Sequence, residues 1–263
     1  MDVVALTSLS TSVDTEVPLL AADLGVAAFE ARQKLAVGFP CVLLFTTDRE
    51  KTAALVAKLR GRGHGVLACD TAAVVSASAM LPIQRFHFEP DAWVIDASSE
   101  GGAVETRLSF VDIAAVIRAS HRHASVVHEQ TKERKFRPVA ALATGGLVMT
   151  KTIKQDVTRV TEEREQVLYV FRRGGEPCLL GESSAHYAGL GEAVRPTRLE
   201  NFNVTMRMLK ELAPEVPFDE RLTTVKKLPS RPTETGTRRD FDPETGGVDL
   251  LAHLLAMWLS TGR

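Results

Sequence analysis

The first part of the chain is organised around residues 19–70, which read LLAADLGVAAFEARQKLAVGFPCVLLFTTDREKTAALVAKLRGRGHGVLACD. Gly25 separates two helix-forming segments, and Pro40 follows the end of the second. The apolar run 41–45 predicts a strand, and Asp48 is placed to cap the helix that follows it. Helices this short do not stand alone in water, so they are expected to pack on a sheet.

The segment after Asp48 has the periodicity of an amphipathic helix. One face of that helix carries Thr52, Leu55, Val56 and Leu59. Gly61 and Gly63 end the helix, and residues 66–69 predict a further strand. Residues 3–6 form another apolar run, which is expected to be the first strand of the same sheet.

This pattern is similar to the C-terminal domain of the ribosomal stalk protein L7/L12, whose fold is shared with the protease adaptor ClpS. The matching residues are Leu24, Gly25, Glu30, Ala31, Arg32, Leu35, Pro40, Ala54, Leu59, Gly63 and Val66. The resemblance covers about a quarter of the chain. It implies a small α/β sandwich and a role in protein binding.

The chain departs from the stalk family in the residues that the family uses for function. Stalk domains present lysines just after their first strand, whereas residues 7–12 of this chain, TSLSTS, carry no charge. The family's Lys-Glu-Gly segment after the second strand is replaced here by Phe45, Thr46 and Thr47. The resemblance therefore implies the fold and protein binding but not a ribosomal function.

The composition excludes several classes of protein. The chain has 263 residues, with 32 Lys and Arg against 33 Asp and Glu, and a formal net charge of −1. Such a balance argues against nucleic-acid binding over the whole surface. No apolar run approaches the roughly 18 residues that a transmembrane helix needs. The N-terminus lacks the basic residues of a signal peptide, so we expect a cytoplasmic protein.

The chain is expected to be an α+β protein with four parts. Residues 1–92 are expected to form the L7/L12-like domain, and residues 93–227 a β-rich domain closed by a helix that Thr197 can cap and that runs to Leu212. Short strands are expected at residues 126–128 and 166–171, and the second is expected to turn at Gly174 and Gly175 into a hairpin with residues 177–180. Several strands followed by one helix is the order of a pleckstrin-homology-like (PH-like) domain. Residues 228–247, rich in Pro, Thr, Arg and Gly, predict a flexible linker. Residues 248–263 predict a tethered C-terminal helix.

The C-terminal helix carries the strongest functional signal in the sequence. Residues 248–260 read VDLLAHLLAMWLS, and their apolar side chains cover more than half of a helical wheel. Such a helix either docks on its own domain and completes the core, or fills a groove on a partner or a second copy. For the second case the expected anchors are Leu251, Leu254, Leu255 and Trp258.

A basic segment, residues 118–137, gives the second signal. Its cations are Arg118, Arg122, Lys132, Arg134, Lys135 and Arg137. Such a segment either is a solvated loop or engages phosphate or an acidic protein surface. Phe136 is its one aromatic residue, so nucleic-acid binding is the less favoured alternative.

The sequence contains no recognisable catalytic, cofactor or metal signature. His121, His123 and His128 lie close together but lack the Cys or carboxylate partners that would complete a zinc site. Ser184 and His186 lie near each other without a nucleophile-elbow motif. The three cysteines are scattered, which is typical of reduced thiols.

We therefore expect a bacterial-type cytoplasmic adaptor or regulatory scaffold without enzymatic activity or cofactor. It would bind a protein partner, or a second copy of itself, through the C-terminal helix, with the basic segment gripping an acidic surface. Two alternatives stay open. One is an enzyme, such as a hydrolase, with a site in the second domain that uses Ser184 or His186. The other is nucleic-acid or phosphate binding through residues 118–137.

Overall fold

A computed structural model describes residues 1–99, 102–136, 150–224 and 246–261, with backbone alone for 97–99, 102–104, 122–136, 150–163 and 261. Within these residues helices and strands are mixed along the chain, and the strands form three sheets. The chain is therefore an α+β protein, as predicted.

The first sheet is built from the residues that opened the sequence analysis. Its elements are β1 (Asp2–Ser8), α1 (Val13–Leu24), α2 (Ala28–Leu35), β2 (Cys41–Thr46), α3 (Arg49–Gly61) and β3 (Gly65–Asp70). The strand order is β2-β1-β3, and β1 pairs antiparallel with both neighbours. The predicted strands and the predicted helix after Asp48 are confirmed within one or two residues.

Local capping explains where these helices begin and end. The Asp48 carboxylate accepts hydrogen bonds from the backbone N–H groups of Glu50 and Lys51, as predicted. Ser12 caps α1 by accepting from the N–H of Thr15. Gly25 ends α1 in the left-handed region, at φ 67°, which glycine adopts without strain.

The remaining elements form two further sheets and two helices. They are β4 (Leu81–Pro82), β5 (Arg85–Phe88), β6 (Ala92–Ser99), β7 (Gly102–Ser109), β8 (Ile113–Phe136), β9 (Thr150–Arg172), β10 (Cys178–Gly181), α4 (Arg198–Leu212), β11 (Phe218–Leu222) and α5 (Gly246–Thr261). One sheet has the order β5-β6-β7 and is antiparallel, while the other has the order β11-β8-β9-β10-β4.

Two of these strands are much longer than predicted. The sequence indicated short strands near residues 126–128 and 166–171, whereas β8 has 24 residues and β9 has 23. The predicted hairpin after β9 is confirmed, because β10 pairs antiparallel with it from Cys178 to Gly181. Gly174 takes a positive φ of 69° in the turn between them.

The five-stranded sheet is apolar on both faces where it crosses the core. Along β9, Leu168 and Val170 face a cluster that includes Trp93 of β6 and Phe202 of α4. The alternate residues of β9 face the opposite way, because successive side chains of a strand alternate between its two faces. That second face packs against α5.

Helix α5 lies between two sheets of its own chain. Leu254 and Leu255 are fully buried in a cluster that contains Val3 of β1 and Ile117 of β8. The apolar faces of the β2-β1-β3 sheet and of the five-stranded sheet are thus both covered by one helix. Of the two sequence alternatives, the structure shows the helix docked on its own chain.

The chain divides into two units at positions other than the expected boundary between residues 92 and 93. Residues 1–121 and 165–263 form one unit, and Arg122–Arg164 forms the other. The first sheet and the β-rich region share the α5 cluster, which explains why residues on both sides of position 92 belong together. The predicted linker falls on residues that the structure does not describe, apart from Gly246 and Gly247, which open α5.

Candidate functional site

The residues expected to anchor a partner are placed mainly in the core. Leu251, Leu254 and Leu255 are buried because α5 fills the space between two apolar sheet faces. Trp258 is partly buried, and the Arg221 guanidinium carbon lies 4.5 Å from the centre of its ring. With α5 in this position, the three leucines stabilise the fold and are not available to another protein.

A buried polar chain fixes the N-terminal end of α5 to the five-stranded sheet. The Tyr169 hydroxyl donates to Asp249 Oδ1 at 2.6 Å and lies 2.6 Å from His121 Nε2. Asp249 Oδ2 accepts the backbone N–H of Ala77 at 3.0 Å. Burial, followed by the charge of Asp249, raises the pKa of Tyr169, so the hydroxyl keeps its proton. We call Tyr169, Asp249 and His121 the tail lock.

His253, one turn further along α5, is held in one tautomer. Its Nε2 accepts the backbone N–H of Val75 at 3.1 Å, so Nδ1 carries the proton and lies 3.0 Å from the carbonyl oxygen of Asp249. Its ring meets the Phe171 ring edge to face, with centroids 4.9 Å apart. Burial lowers the pKa of His253, although the bond to the Asp249 carbonyl raises it.

Arg118 is an internal residue of the structure. Its guanidinium donates to Gln166 Oε1 at 3.0 Å and to Glu220 Oε2 at 3.4 Å, and it lies over the Phe202 ring. The side chain is only 18% exposed. Arg118 is therefore committed to its own chain and does not belong to an exposed basic patch.

The other basic residues lie on or beside the two long strands. Arg122, Lys132, Arg134 and Lys135 belong to β8, in the part described as backbone, and Arg137 lies outside the described residues. We call residues 122–136 of β8 and 150–164 of β9 the ribbon. The structure adds β9 to this set, since the sequence did not indicate that Lys151, Lys154 and Arg159 share a sheet with the basic segment.

The neighbouring strands flank only the parts of β8 and β9 outside the ribbon. β11 pairs with β8 between Val116 and Ala119, and β10 pairs with β9 between Val167 and Val170. Within the described residues, no further strand is hydrogen-bonded to the outer edges of the ribbon. Among the described strands, the backbone N–H and C=O groups along those edges therefore have no neighbour to pair with.

The alternative hydrolase residues are not brought together. Ser184 Oγ donates to the Gly181 carbonyl at 3.4 Å, while the backbone N–H of His186 donates to Gln84. The neighbouring Ser183 hydroxyl donates to the Glu165 carboxylate. Within the described residues, no group of three or more His, Cys, Asp or Glu side chains is placed to hold a metal ion. Of the three histidines that lie close together in the sequence, only His121 has a described side chain.

A second polar cluster, which the sequence did not reveal, joins the loop after β1, helix α1 and the turn before β3. Ser10 Oγ lies 3.0 Å from His64 Nδ1, and the backbone N–H of Ser10 donates to the same nitrogen at 3.1 Å. On the other side of the ring, His64 Nε2 lies 2.8 Å from Glu16 Oε2. That distance fits an ion pair, but its angle is poor for a hydrogen bond. Glu16 and His64 are buried, while Ser10 is exposed.

Basic residues of α3 and of the turn after it hold the acidic side of this cluster. Arg62 donates to Glu16 Oε1 at 2.8 Å and lies 2.7 Å from Asp23 Oδ2. Lys58 donates to Asp23 Oδ1 at 2.9 Å. Burial raises the pKa of Asp23, but the bonds from Lys58 and Arg62 outweigh it, so the pKa is lower than usual. We call Ser10, His64 and Glu16 the serine cluster.

No protein-family model, curated protein or solved structure matches this chain. Among the described helices, none is both long and apolar enough to span a bilayer. The function is therefore inferred from the ribbon, the tail lock and the serine cluster themselves.

Proposed function

We propose that the chain is an adaptor or regulatory scaffold that binds an acidic protein partner through the ribbon. The observation that supports this proposal most directly is that β8 and β9 extend well beyond their neighbouring strands, β11 and β10. Where β11 and β10 end, the ribbon keeps two outer edges to which an extended segment of another protein can add as a strand. Two-stranded ribbons are marginally stable alone, so pairing with a partner also stabilises the ribbon itself.

Charge favours an acidic partner. Between Arg122 and Arg164 the sequence holds nine Lys or Arg and five Asp or Glu, although the whole chain has a net charge of −1. This local excess attracts acidic surfaces and orients them during encounter. Main-chain pairing would then supply affinity, and the lysine and arginine side chains would supply preference for acidic segments.

The tail helix takes a supporting role in this proposal. Tyr169 lies in β9 and His121 in β8, so the tail lock connects α5 to both strands next to the ribbon. The leucines expected as partner anchors pack against one face of the five-stranded sheet and stabilise the parts of β8 and β9 next to the ribbon. A partner that bound them directly would first have to remove α5 from the core.

We extend the proposal to the folds of the two regions on either side of residue 92. The order strand–helix–helix–strand–helix–strand in residues 2–70 supports an L7/L12-like domain, a fold associated with protein binding. Strands followed by α4, which packs on them through Phe202 and Leu209, support the PH-like interpretation of the second region. A likeness of fold leaves the function to be argued from a site, so the proposal rests on the ribbon.

The test compares two pairs of charge reversals in the full chain. Arg134→Glu with Lys135→Glu changes the ribbon, and Arg49→Glu with Lys51→Glu changes exposed residues in the first turn of α3, where acidic side chains suit the helix dipole. Tagged proteins are purified from cells, and bound proteins are quantified by mass spectrometry. We expect an acidic protein that the wild type and the α3 variant retain and the ribbon variant loses.

Direct binding then separates a protein partner from a nucleic acid. The purified partner and a single-stranded oligonucleotide are each titrated at increasing salt. Nucleic-acid binding loses affinity steeply, in proportion to the phosphates contacted. Retention of the partner by the ribbon variant, or tight binding of the oligonucleotide alone, would contradict the proposed function.

A further inference from the structure

We propose that Ser10 is a nucleophile that accepts the acyl group of activated esters, with His64 as its general base and Glu16 as the carboxylate that orients His64. The three side chains lie in the order hydroxyl, imidazole and carboxylate, with neighbouring polar atoms 3.0 and 2.8 Å apart. Nucleophilic serines are recognised by this geometry and not by sequence order. The inference is independent of the ribbon and of the proposed partner.

The hydrogen bonds give His64 the tautomer that a base requires. The backbone N–H of Ser10 donates to Nδ1, so in the neutral ring Nδ1 carries a lone pair and Nε2 carries the proton. The protonated nitrogen faces Glu16 Oε2, which can stabilise the imidazolium that forms when Nδ1 takes a proton. The poor angle of this contact is compatible with the role, because catalytic hydrogen bonds often align only when substrate is bound.

Glu16 is held so that its two oxygens have different partners. Oε1 accepts from Arg62 and Oε2 faces His64. Arg62 therefore fixes the carboxylate without occupying the oxygen that serves the imidazole. Glu16 is only 1% exposed, so water does not compete with His64 for it.

The Ser10 hydroxyl is accessible and has two acceptors. It donates to the Arg62 carbonyl at 2.7 Å, and a rotation of the O–H bond turns the proton towards His64 Nδ1. Ser10 lies in an exposed segment, so an ester can approach from solvent. The N–H groups of Val13 and Asp14 open α1 just after it and have no acceptor within the helix, which makes them candidate donors to an oxyanion.

The chemical step conserves atoms and charge. The backbone N–H of Ser10 first releases His64 Nδ1. Ser10 Oγ then attacks the carbonyl carbon of the ester while its proton passes to the freed lone pair of Nδ1. The tetrahedral intermediate collapses, the bond to the leaving alkoxide breaks, and the alkoxide takes the proton from Nδ1. The product is an O-acyl serine, which water hydrolyses by the same proton transfers to release the carboxylic acid.

The experiment uses the full chain and two probes. A fluorophosphonate should form a bond from Ser10 Oγ to phosphorus with loss of fluoride, and peptide mapping should place the added mass on Ser10. Turnover of p-nitrophenyl acetate should release p-nitrophenolate. We expect Ser10→Ala to abolish labelling and His64→Gln to slow it on the order of 100-fold, the typical contribution of a general base. Glu16→Gln should also slow it.

The matched control is Ser183→Ala. Ser183 is an exposed serine like Ser10, but its hydroxyl donates to the Glu165 carboxylate and not to an imidazole, so it shows how an exposed serine reacts without the His64 contact. This variant should label like the wild type. Circular dichroism checks that His64→Gln and Glu16→Gln are folded before their rates are compared.

A pH profile of the wild type keeps the inference testable if the buried variants do not fold. A general base predicts a labelling rate that rises with the deprotonation of one group and then reaches a plateau. A rate that increases with hydroxide throughout, labelling at other serines only, or labelling unchanged in folded His64→Gln would each overturn the inference.

Discussion

At the scale of single residues, a few buried polar side chains are stabilised by hydrogen bonds to one another and to the backbone. Asp249 is 1% exposed, yet each carboxylate oxygen has a donor, the Tyr169 hydroxyl on one side and the Ala77 N–H on the other. A buried carboxylate without such donors would cost several kcal/mol. The tail lock therefore holds α5 in place mainly because breaking its buried hydrogen bonds would cost free energy.

Replacing Tyr169 by Phe tests this cost. The ring stays, but Asp249 Oδ1 and His121 Nε2 lose their shared partner, so we expect a loss of about 1–3 kcal/mol in the free energy of unfolding. Urea denaturation measures it. The control is Tyr187→Phe, which removes a bond to the Glu182 carbonyl and takes no donor from a buried carboxylate. If both variants lost the same free energy of unfolding, the tail lock would stabilise the chain no more than an ordinary side-chain hydrogen bond does.

His253 should make stability depend on pH. Burial lowers its pKa in the folded chain, so below the unfolded value of about 6.5 the unfolded chain binds a proton that the folded chain does not. Stability from this residue is complete above about pH 7 and falls as the pH drops through that window. The difference in unfolding free energy between wild type and His253→Gln should shrink between pH 7.5 and pH 5.5. His87→Gln, at an exposed position, should show no such trend.

At the scale of elements, α5 behaves as a core helix. Leu254 contributes to a cluster formed by two sheets, so truncating it leaves a cavity that neither sheet can easily fill. Its neighbour Met257 is among the exposed hydrophobic residues of the same helix. Substitutions at Leu254 and Met257 therefore distinguish the effect of burial on stability from the effect of helix propensity.

Leu254→Ala should therefore cost about 2–5 kcal/mol, the range for large-to-small changes in a core. Met257→Ala should change stability by less than about 1 kcal/mol, since alanine is also a good helix former. Thermal and urea unfolding of both variants measure the effects. An unchanged melting temperature for Leu254→Ala would indicate that α5 is mostly undocked from the two sheets in solution.

At the scale of the whole molecule, features set by residues close in sequence could be predicted, whereas contacts between residues far apart in sequence could not. The capping of α3 by Asp48 and of α4 by Thr197 could be predicted because donor and acceptor lie within four residues of each other. The docking of α5 stayed open because it depends on apolar faces of β1 and β8, which the sequence places far from residue 254.

The functional clusters illustrate the same limit. Ser10 and His64 lie 54 residues apart, and only the β1–β3 pairing brings them together. Arg118 looked like part of a basic patch because its partner Glu220 is distant in sequence. The length of β8 could not be predicted either, since residues 118–137 are polar on both faces and lack the alternation that indicates a half-buried strand.

Removing α5 from the whole chain tests how far the two sheets depend on it. A chain that ends at residue 245 loses the burial of Leu250, Leu251, Leu254 and Leu255. Each such side chain contributes about 1.5–3 kcal/mol, so their sum is comparable to the whole stability of a typical domain, about 5–15 kcal/mol. We expect strong binding of a hydrophobic dye and loss of a cooperative urea transition. A peptide of residues 246–263 added in excess should reverse both effects, because it refills the same space. A truncated chain with the wild-type urea midpoint would show instead that the two sheets hold together without the helix.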